Sequence, residues 1–301
     1  MGMNKIVLGT AQFGFDYGVN NQRGQVPQTE VFEILAAAFR LGVETLDTAS
    51  MYGASENVIG KFIKKYNKKF NIISKIGNVE RLKIKPLLIS SLVELGVDSF
   101  YGLLIHGFRY YANNPEIWEI LKEMKSEGKA KKIGFSIYSP DELEALFQQG
   151  IELDQIQVPY NIFDRRFEPY FPILQSKGIE IYVRSIFLQG IVFMNPGDLK
   201  DNLLMLKDKI IKMNILSKQE NISIASLCAN FVFLNQFVDK VVFGVDGLDN
   251  FNEINCFLED FSKICAIQSS LSVFQEEKIN MVYNYLIDIY KLKHSLELNK
   301  E

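Results

Sequence analysis

VETLDTASMYGASENVIG, residues 43–60, begins with an apolar run that stops on Asp47, carries Tyr52 five positions later, and passes into a helical pattern opening on Ser55. The same grammar recurs on the C-terminal side. FNIISKI holds Lys75, YGLLIH ends on His106 and KKIGFS ends on Ser136, so steps of 28, 31 and 30 residues separate Asp47, Lys75, His106 and Ser136. Each step has the length of one strand plus one helix with short loops, the unit from which parallel sheets are built. LDQIQVPYN and IEIYVRS continue the rhythm to Gln157 and Arg184 at 21 and 27 residues, and KVVFGV reaches Gly244 after a longer step of 60. With KIVLGT at the start, eight strands are expected.

Amphipathic segments fill the gaps. TEVFEILAAAFRLG predicts a helix from about Thr29 to Leu41 closed by Gly42; SENVIGKFIKKY starts at Ser55; PEIWEILKEMKSEG runs from Pro115 to Gly128. Ser139 before Pro140 and DELEALFQQG reads as an N-cap followed by a first-turn proline and acids. Eight such alternations in 301 residues favour an α/β fold of the closed (β/α)8 TIM-barrel type, a single domain over residues 1–301, above an open doubly wound sheet. The long step leaves room for an extra helix near 198–217. After Gly244 a helix near Asp249–Asp260 and a long charged helix from about Val273 to Leu296 are expected, with 265–301 as a helical tail that covers the barrel or forms a homo-oligomer contact. In a barrel the strand ends share one mouth, so Asp47, Tyr52, Lys75 and His106 meet there as a proton-donating site.

Composition narrows the class. Hydrophobic residues make up 48% and charged residues 23%, enough for one large core. A net charge of −3 with mixed signs supports neither a nucleic-acid nor a membrane footprint. The basic KFIKKYNKKF reads as a solvated helix face. Three cysteines, Cys228, Cys256 and Cys265, lack metal-ligand spacing and fit a reducing compartment; with no apolar leader after MGMNK, a cytoplasmic location is expected. GTAQFGFDYGVNNQRG, residues 9–24, lacks the dinucleotide fingerprint spacing and reads as a loop at the barrel mouth, not a phosphate loop. His294 reads as a solvated tail residue.

Asp47, Tyr52, Lys75 and His106, in the contexts LDTASMYG, SK and LLIH, together with LGTAQFG, GFS, QVPYN, FLQG and FGVDGLDNFNE, resemble the aldo/keto reductase superfamily over nearly the whole chain. The resemblance implies reduction of a small-molecule aldehyde or ketone with NADPH, or NADH, bound extended across the mouth. It implies Tyr52 as the acid, Lys75 and Asp47 as its tuning pair, and His106 as the group orienting the carbonyl. Ser136 and Gln157 would hold the nicotinamide carboxamide, and the segment after Gly244, including Asn250, the adenosine end. The chain departs from the family pattern where Ile137 replaces an asparagine and Arg184 an aromatic that stacks on the nicotinamide; a guanidinium there suits stacking or phosphate binding. Asp246 and Asp249 stand where NADPH-specific members carry basic residues, which disfavours a 2′-phosphate and admits NADH. A weaker likeness points to a sugar-like carbonyl.

The chemistry agrees with those roles. An alkoxide formed by hydride addition needs a proton, and a phenol suits it; a neighbouring ammonium is expected to lower the phenol pKa, with the aspartate keeping that ammonium charged. Two other readings compete: a nicotinamide-binding redox-sensing subunit with little turnover, and a barrel aldolase using Lys75 as a Schiff base.

Overall fold

β1 (Ile6–Gly9), β2 (Thr45–Asp47), β3 (Asn71–Ile76), β4 (Phe100–Ile105), β5 (Ala130–Ser136), β6 (Gln155–Pro159), β7 (Glu180–Arg184) and β8 (Lys240–Gly244) pair in parallel with their sequence neighbours. β8 returns to β1, Ile6 opposite Val241 and Gly9 opposite Gly244, and the sheet closes into the expected barrel. This computed structural model describes residues 3–298. The parallel register sets Gly9 beside Asp47 and Ser136 beside Gln157, so residues far apart in sequence share one rim.

Val7, Ile73, Leu104, Tyr182 and Val242 fill the barrel bore. A larger apolar shell lies between strands and helices, where each fully buried Leu, Ile, Val or Phe contributes about 1.5–3 kcal/mol. The helix Gln28–Arg40 ends at Leu41 with Gly42 in the left-handed region, and Ser55–Tyr66 starts where its sequence indicated. The capping box of Ser139 and Glu142 starts Pro140–Gln148, with both backbone N–H groups satisfied. The helix Arg81–Leu95 has no counterpart in the sequence reading: Leu82, Ile89 and Val93 are exposed and Pro86 lies inside it, so its apolar residues mark no single face.

The long step before β8 holds more than one added helix. Short 3-10 turns at Pro196–Asp198 and Asp201–Leu206 lead into Lys207–Glu220, and Ile224–Phe233 follows, buried on nearly all sides. Beyond β8 the predicted single helix is two, Leu248–Asn252 and Ile254–Ala266, and the last runs Ile279–Leu298. That last helix buries Ile279, Val282, Tyr283 and Leu286 against its own barrel. The side chain of His294 and residues 299–301 lie outside the described part. Cys228 is buried, its thiol pushed up to about 12 by burial, whereas Cys256 and Cys265 are exposed. Lys61, Lys64, Lys65 and Lys69 of the basic segment are exposed. Among the described residues no helix is long and apolar enough to cross a membrane.

Candidate active site

Asp47 ends β2 and Lys75 lies on the neighbouring β3, and both are almost completely buried. Lys75 Nζ donates to Asp47 Oδ1 at 2.5 Å and to the Thr48 carbonyl at 2.9 Å. Breaking such a pair by removing one partner typically costs about 3–5 kcal/mol, because the other charge is stranded. Burial lowers the Lys75 pKa, and Asp47 opposes that shift. Behind the pair, Glu56 accepts from Ser74 Oγ at 2.8 Å, its carboxyl held above the usual range by burial.

Tyr52 sits over this pair. Lys75 Nζ is 5.1 Å from its ring centroid, and the His106 ring meets it edge-on at 5.9 Å and 78°. The segment carrying Tyr52 is held from two sides. Ser55 Oγ donates into the β1 end, 2.8 Å from Thr10 Oγ1, and Gly14 packs so closely that a Cβ there would fall 1.6 Å from the Tyr52 carbonyl oxygen. The phenol pKa moves opposite to the sequence expectation. Burial raises it well above its ordinary value and Asp47 adds to the rise, with Arg184 opposing; the ammonium of Lys75, over the ring, donates to Asp47. Burial, then Lys75 and Arg184, holds His106 well below its usual value, so the imidazole is neutral at pH 7.

A chain of side-chain hydrogen bonds leaves Asp47 in the other direction. Gln157 Nε2 donates to Asp47 Oδ2 at 2.7 Å, Ser136 Oγ lies 3.3 Å from Gln157 Oε1, and Arg184 Nε donates to Ser136 Oγ at 3.3 Å. Arg184 Nη2 binds the Ile137 carbonyl at 3.1 Å, so the two departures from the family pattern touch each other. Beyond Arg184 the chain turns sharply, with positive φ at Ser185, Leu188, Gln189 and Gly190. Such non-glycine conformations cost on the order of 1–3 kcal/mol each and persist only where surroundings hold them. Here Asn161 Nδ2 binds the Ser185 carbonyl and Asn20 N the Gln189 carbonyl.

A cavity of about 300 Å³ opens at this mouth. Asp47, Tyr52, Gln157 and Arg184 line it on one side, and Gly244 and Asn250 on the β8 side. Lys75 and Ser136 are buried behind this lining, while His106, edge-on to Tyr52, is partly exposed. Tyr17, Gly18, Asn20 and Asn21 also border the cavity, as expected of a mouth loop. Three aromatic neighbours escaped the sequence reading. Tyr17 lines the cavity, Tyr138 lies under Arg184, and Tyr283 comes from the last helix to bind Asn161 Nδ2 at 3.0 Å. Tyr138 had a signal, two positions beyond the strand end at Ser136; Tyr283 had none. Asn161 caps its own loop, accepting from the N–H groups of Phe163 and Asp164.

The fold and this mouth define a (β/α)8-barrel protein with a tyrosine, a buried lysine–aspartate pair and a histidine gathered at the strand ends. The chain belongs to the aldo/keto reductase family, whose model matches residues 5–269. Among curated relatives it is 26% identical to the uncharacterized oxidoreductase YqkF of Bacillus subtilis, over 65% of this chain and 69% of that protein. It is 28% identical to the NADH-specific methylglyoxal reductase of Escherichia coli, over 63% of this chain and 65% of that one, just under two thirds of its length. An aldo-keto reductase of Bacillus halodurans, solved in its holo form, shares the fold with a TM-score of 0.68 and 22% identity, covering 85% and 86% of the two chains.

Proposed function

We propose that this chain reduces an aldehyde or ketone to an alcohol with a nicotinamide cofactor, Tyr52 acting as general acid. The observation that carries this reading is the packing of the Tyr52 ring against both His106 and Lys75 on the cavity that Gln157 and Arg184 also border. The cofactor supplies the hydride when bound. Neutral His106 hydrogen-bonds the substrate oxygen and so favours the developing negative charge without donating its own charge to the site. Tyr52 gives its proton to that oxygen. A phenol with a raised pKa is a weak acid toward water but a competent donor to an alkoxide, which is far more basic. Lys75 and Asp47 fix the floor beneath the ring.

The residues present suit a nicotinamide. Gln157 uses one N–H on Asp47 and one lone pair on Ser136, leaving one donor and one acceptor for a carboxamide. Gly244 keeps the passage open, since a Cβ there would lie 3.1 Å from Gln12 Nε2. Gln157, Gly244 and Asn250 would hold the cofactor, with Arg184 at its inner edge and the buried Ser136, a residue expected to touch the carboxamide, acting through Gln157. Asp246, Asp249 and Glu253 crowd the β8 side, burial and the two aspartates raising the Glu253 pKa. That negative charge supports NADH above NADPH, in keeping with the NADH-specific relative.

The Schiff-base reading finds less support, because Lys75 is bonded to Asp47 and Thr48 and is not on the cavity surface. Titration with NADH and NADPH, followed by nicotinamide fluorescence, tests the cofactor site. In parallel, Tyr52→Phe is expected to lower carbonyl turnover about 10²–10⁴-fold with cofactor affinity retained; unchanged turnover would remove Tyr52 from its role.

A further inference from the structure

Arg184 is half-buried on the cavity wall, and among the described residues it forms no ion pair. Its hydrogen bonds go to the Ser136 hydroxyl, the Ser185 hydroxyl and the Ile137 carbonyl, at 3.3, 3.2 and 3.1 Å, and none of these carries a charge. Its Cζ lies over the Tyr138 ring, 4.1 Å from the centroid. Tyr138 is anchored in turn: its carbonyl accepts from Arg166 Nη2 at 3.2 Å, and its ring meets that of Tyr283 at 6.1 Å. The cation is therefore fixed in place. Ser136 joins it to Gln157, with 3.3 Å on either side of the hydroxyl. The other charges on this side of the cavity are balanced, since Asp47 is paired with Lys75 at 2.5 Å, and burial, then Lys75 and Arg184, holds His106 neutral. Burial, then Asp47, raises the Tyr52 pKa and Arg184 opposes that rise; burial lowers the Lys75 pKa and Arg184 adds to the fall. The charge of Arg184 is thus felt at the reacting end of the cavity.

We propose that Arg184 sets the preference of this site for the oxidation state of its cofactor, favouring the reduced nicotinamide over the oxidised one. The inference rests on the nicotinamide reading above and deepens it. A carboxamide is bonded directly to the nicotinamide ring, so a ring anchored through that group at Gln157 lies under the charge that Ser136 joins to the same glutamine. The reduced ring is uncharged. Loss of a hydride to the carbonyl carbon, two electrons with one proton, leaves the ring with a positive charge, while the carbonyl oxygen takes its proton from Tyr52. Two like charges in a partly dry site repel far more than in water, so the guanidinium opposes the oxidised ring and leaves the reduced one untouched. An aromatic side chain, which the family pattern has at this position, supplies no such charge. The consequence is a reductase that takes up NADH in the presence of oxidised cofactor and releases NAD⁺ readily after each turnover. Each factor of ten in that relative affinity raises the potential of the bound couple above the free one by about 30 mV.

The test is direct titration, which gives the dissociation constants of NADH, NAD⁺ and ADP-ribose; the last shares the phosphates and adenosine but has no nicotinamide. Wild-type NAD⁺ is expected to bind at least about tenfold more weakly than NADH, the scale of a charge interaction in a partly buried site. Arg184→Gln should lower that ratio about tenfold, and Arg184→Tyr, a neutral ring in the same place, should do the same. Arg184→Lys, which keeps the charge, should hold the ratio within about threefold of the wild type. ADP-ribose affinity should be the same throughout. A wild type that binds the two oxidation states equally overturns the proposal, even if every variant fails to fold. A ratio left unchanged in the neutral variants overturns it too. So does a loss in them that falls equally on NADH, NAD⁺ and ADP-ribose, which would assign the guanidinium to the cofactor phosphates. A chain that binds neither NADH nor NADPH defeats the nicotinamide reading itself, whereas NADH binding without discrimination defeats this inference alone.

Discussion

At the scale of the residue, environment decides what each ionisable group is. Lys75 and Asp47 are neighbours across two strands; the ammonium expected to acidify the phenol donates to Asp47, while burial, with Asp47 adding to it, raises the phenol pKa. The identities of Asp47, Tyr52, Lys75 and His106 were legible in the sequence because each stands at or just past an apolar run of regular spacing. The direction of the phenol shift was not, because it is set first by burial, which no local stretch of sequence displays. His106 offers a check. Its folded pKa is depressed, so above about pH 6.5 it is neutral in both folded and unfolded chains and contributes no slope; below that the unfolded chain binds the proton and the folded one resists it. Stability is therefore lost as pH falls from about 6.5 toward the depressed folded value. Urea denaturation at pH 7.5 and 5.0 should show the wild type losing about 1–2 kcal/mol more than His106→Asn over that interval; equal losses would mean that the imidazole is not held neutral.

At the scale of the element, the helical turn Ala11–Gly14 is a brace for the loop that carries Tyr52. Alanine is usually the better helix residue, by about 1 kcal/mol over glycine. At position 14 the sign reverses, because the new methyl would overlap the Tyr52 carbonyl at 1.6 Å and also approach the Ser55 N–H nitrogen at 2.9 Å. Gly14→Ala is expected to destabilise the fold by about 1–3 kcal/mol and to lower turnover by displacing Tyr52. Thermal denaturation and a carbonyl-reduction assay on the same preparation check both halves. The sequence reading placed residues 9–24 at the mouth but saw no brace, since the contact joins segments about forty positions apart. It also missed Arg81–Leu95, whose exposed Leu82 and Val93 blur any helical face. By contrast the capping box at Ser139 is local chemistry, and local chemistry is what a sequence displays.

At the scale of the whole molecule, closure and covering are distinct. Closure belongs to the strand rhythm: the step lengths fix eight parallel strands, and β1 with β8 completes them. Covering belongs to the last helix, which lies beyond the matched family region yet buries Ile279, Val282, Tyr283 and Leu286 and bonds Asn161 through the Tyr283 hydroxyl. A chain ending at Phe274 is expected to lose about 5 kcal/mol or more, from four buried side chains at roughly 1.5–3 kcal/mol each. Urea unfolding of that truncated chain measures the loss; a barrel of undiminished stability would show the helix to be an ornament. The tail's sequence displayed the helix and left open whether it covers the barrel; the Tyr283 bond was not visible, because Asn161 lies 122 residues upstream.

The pairing of the first strand with the eighth also bears on how the molecule is made. A chain leaving the ribosome presents seven strands with two open edges until residues 240–244 emerge, and Tyr283 follows some forty residues later. Until those segments have been made this protein is an unfinished sheet in need of shelter, and its mouth takes final form only after Tyr283 has reached Asn161.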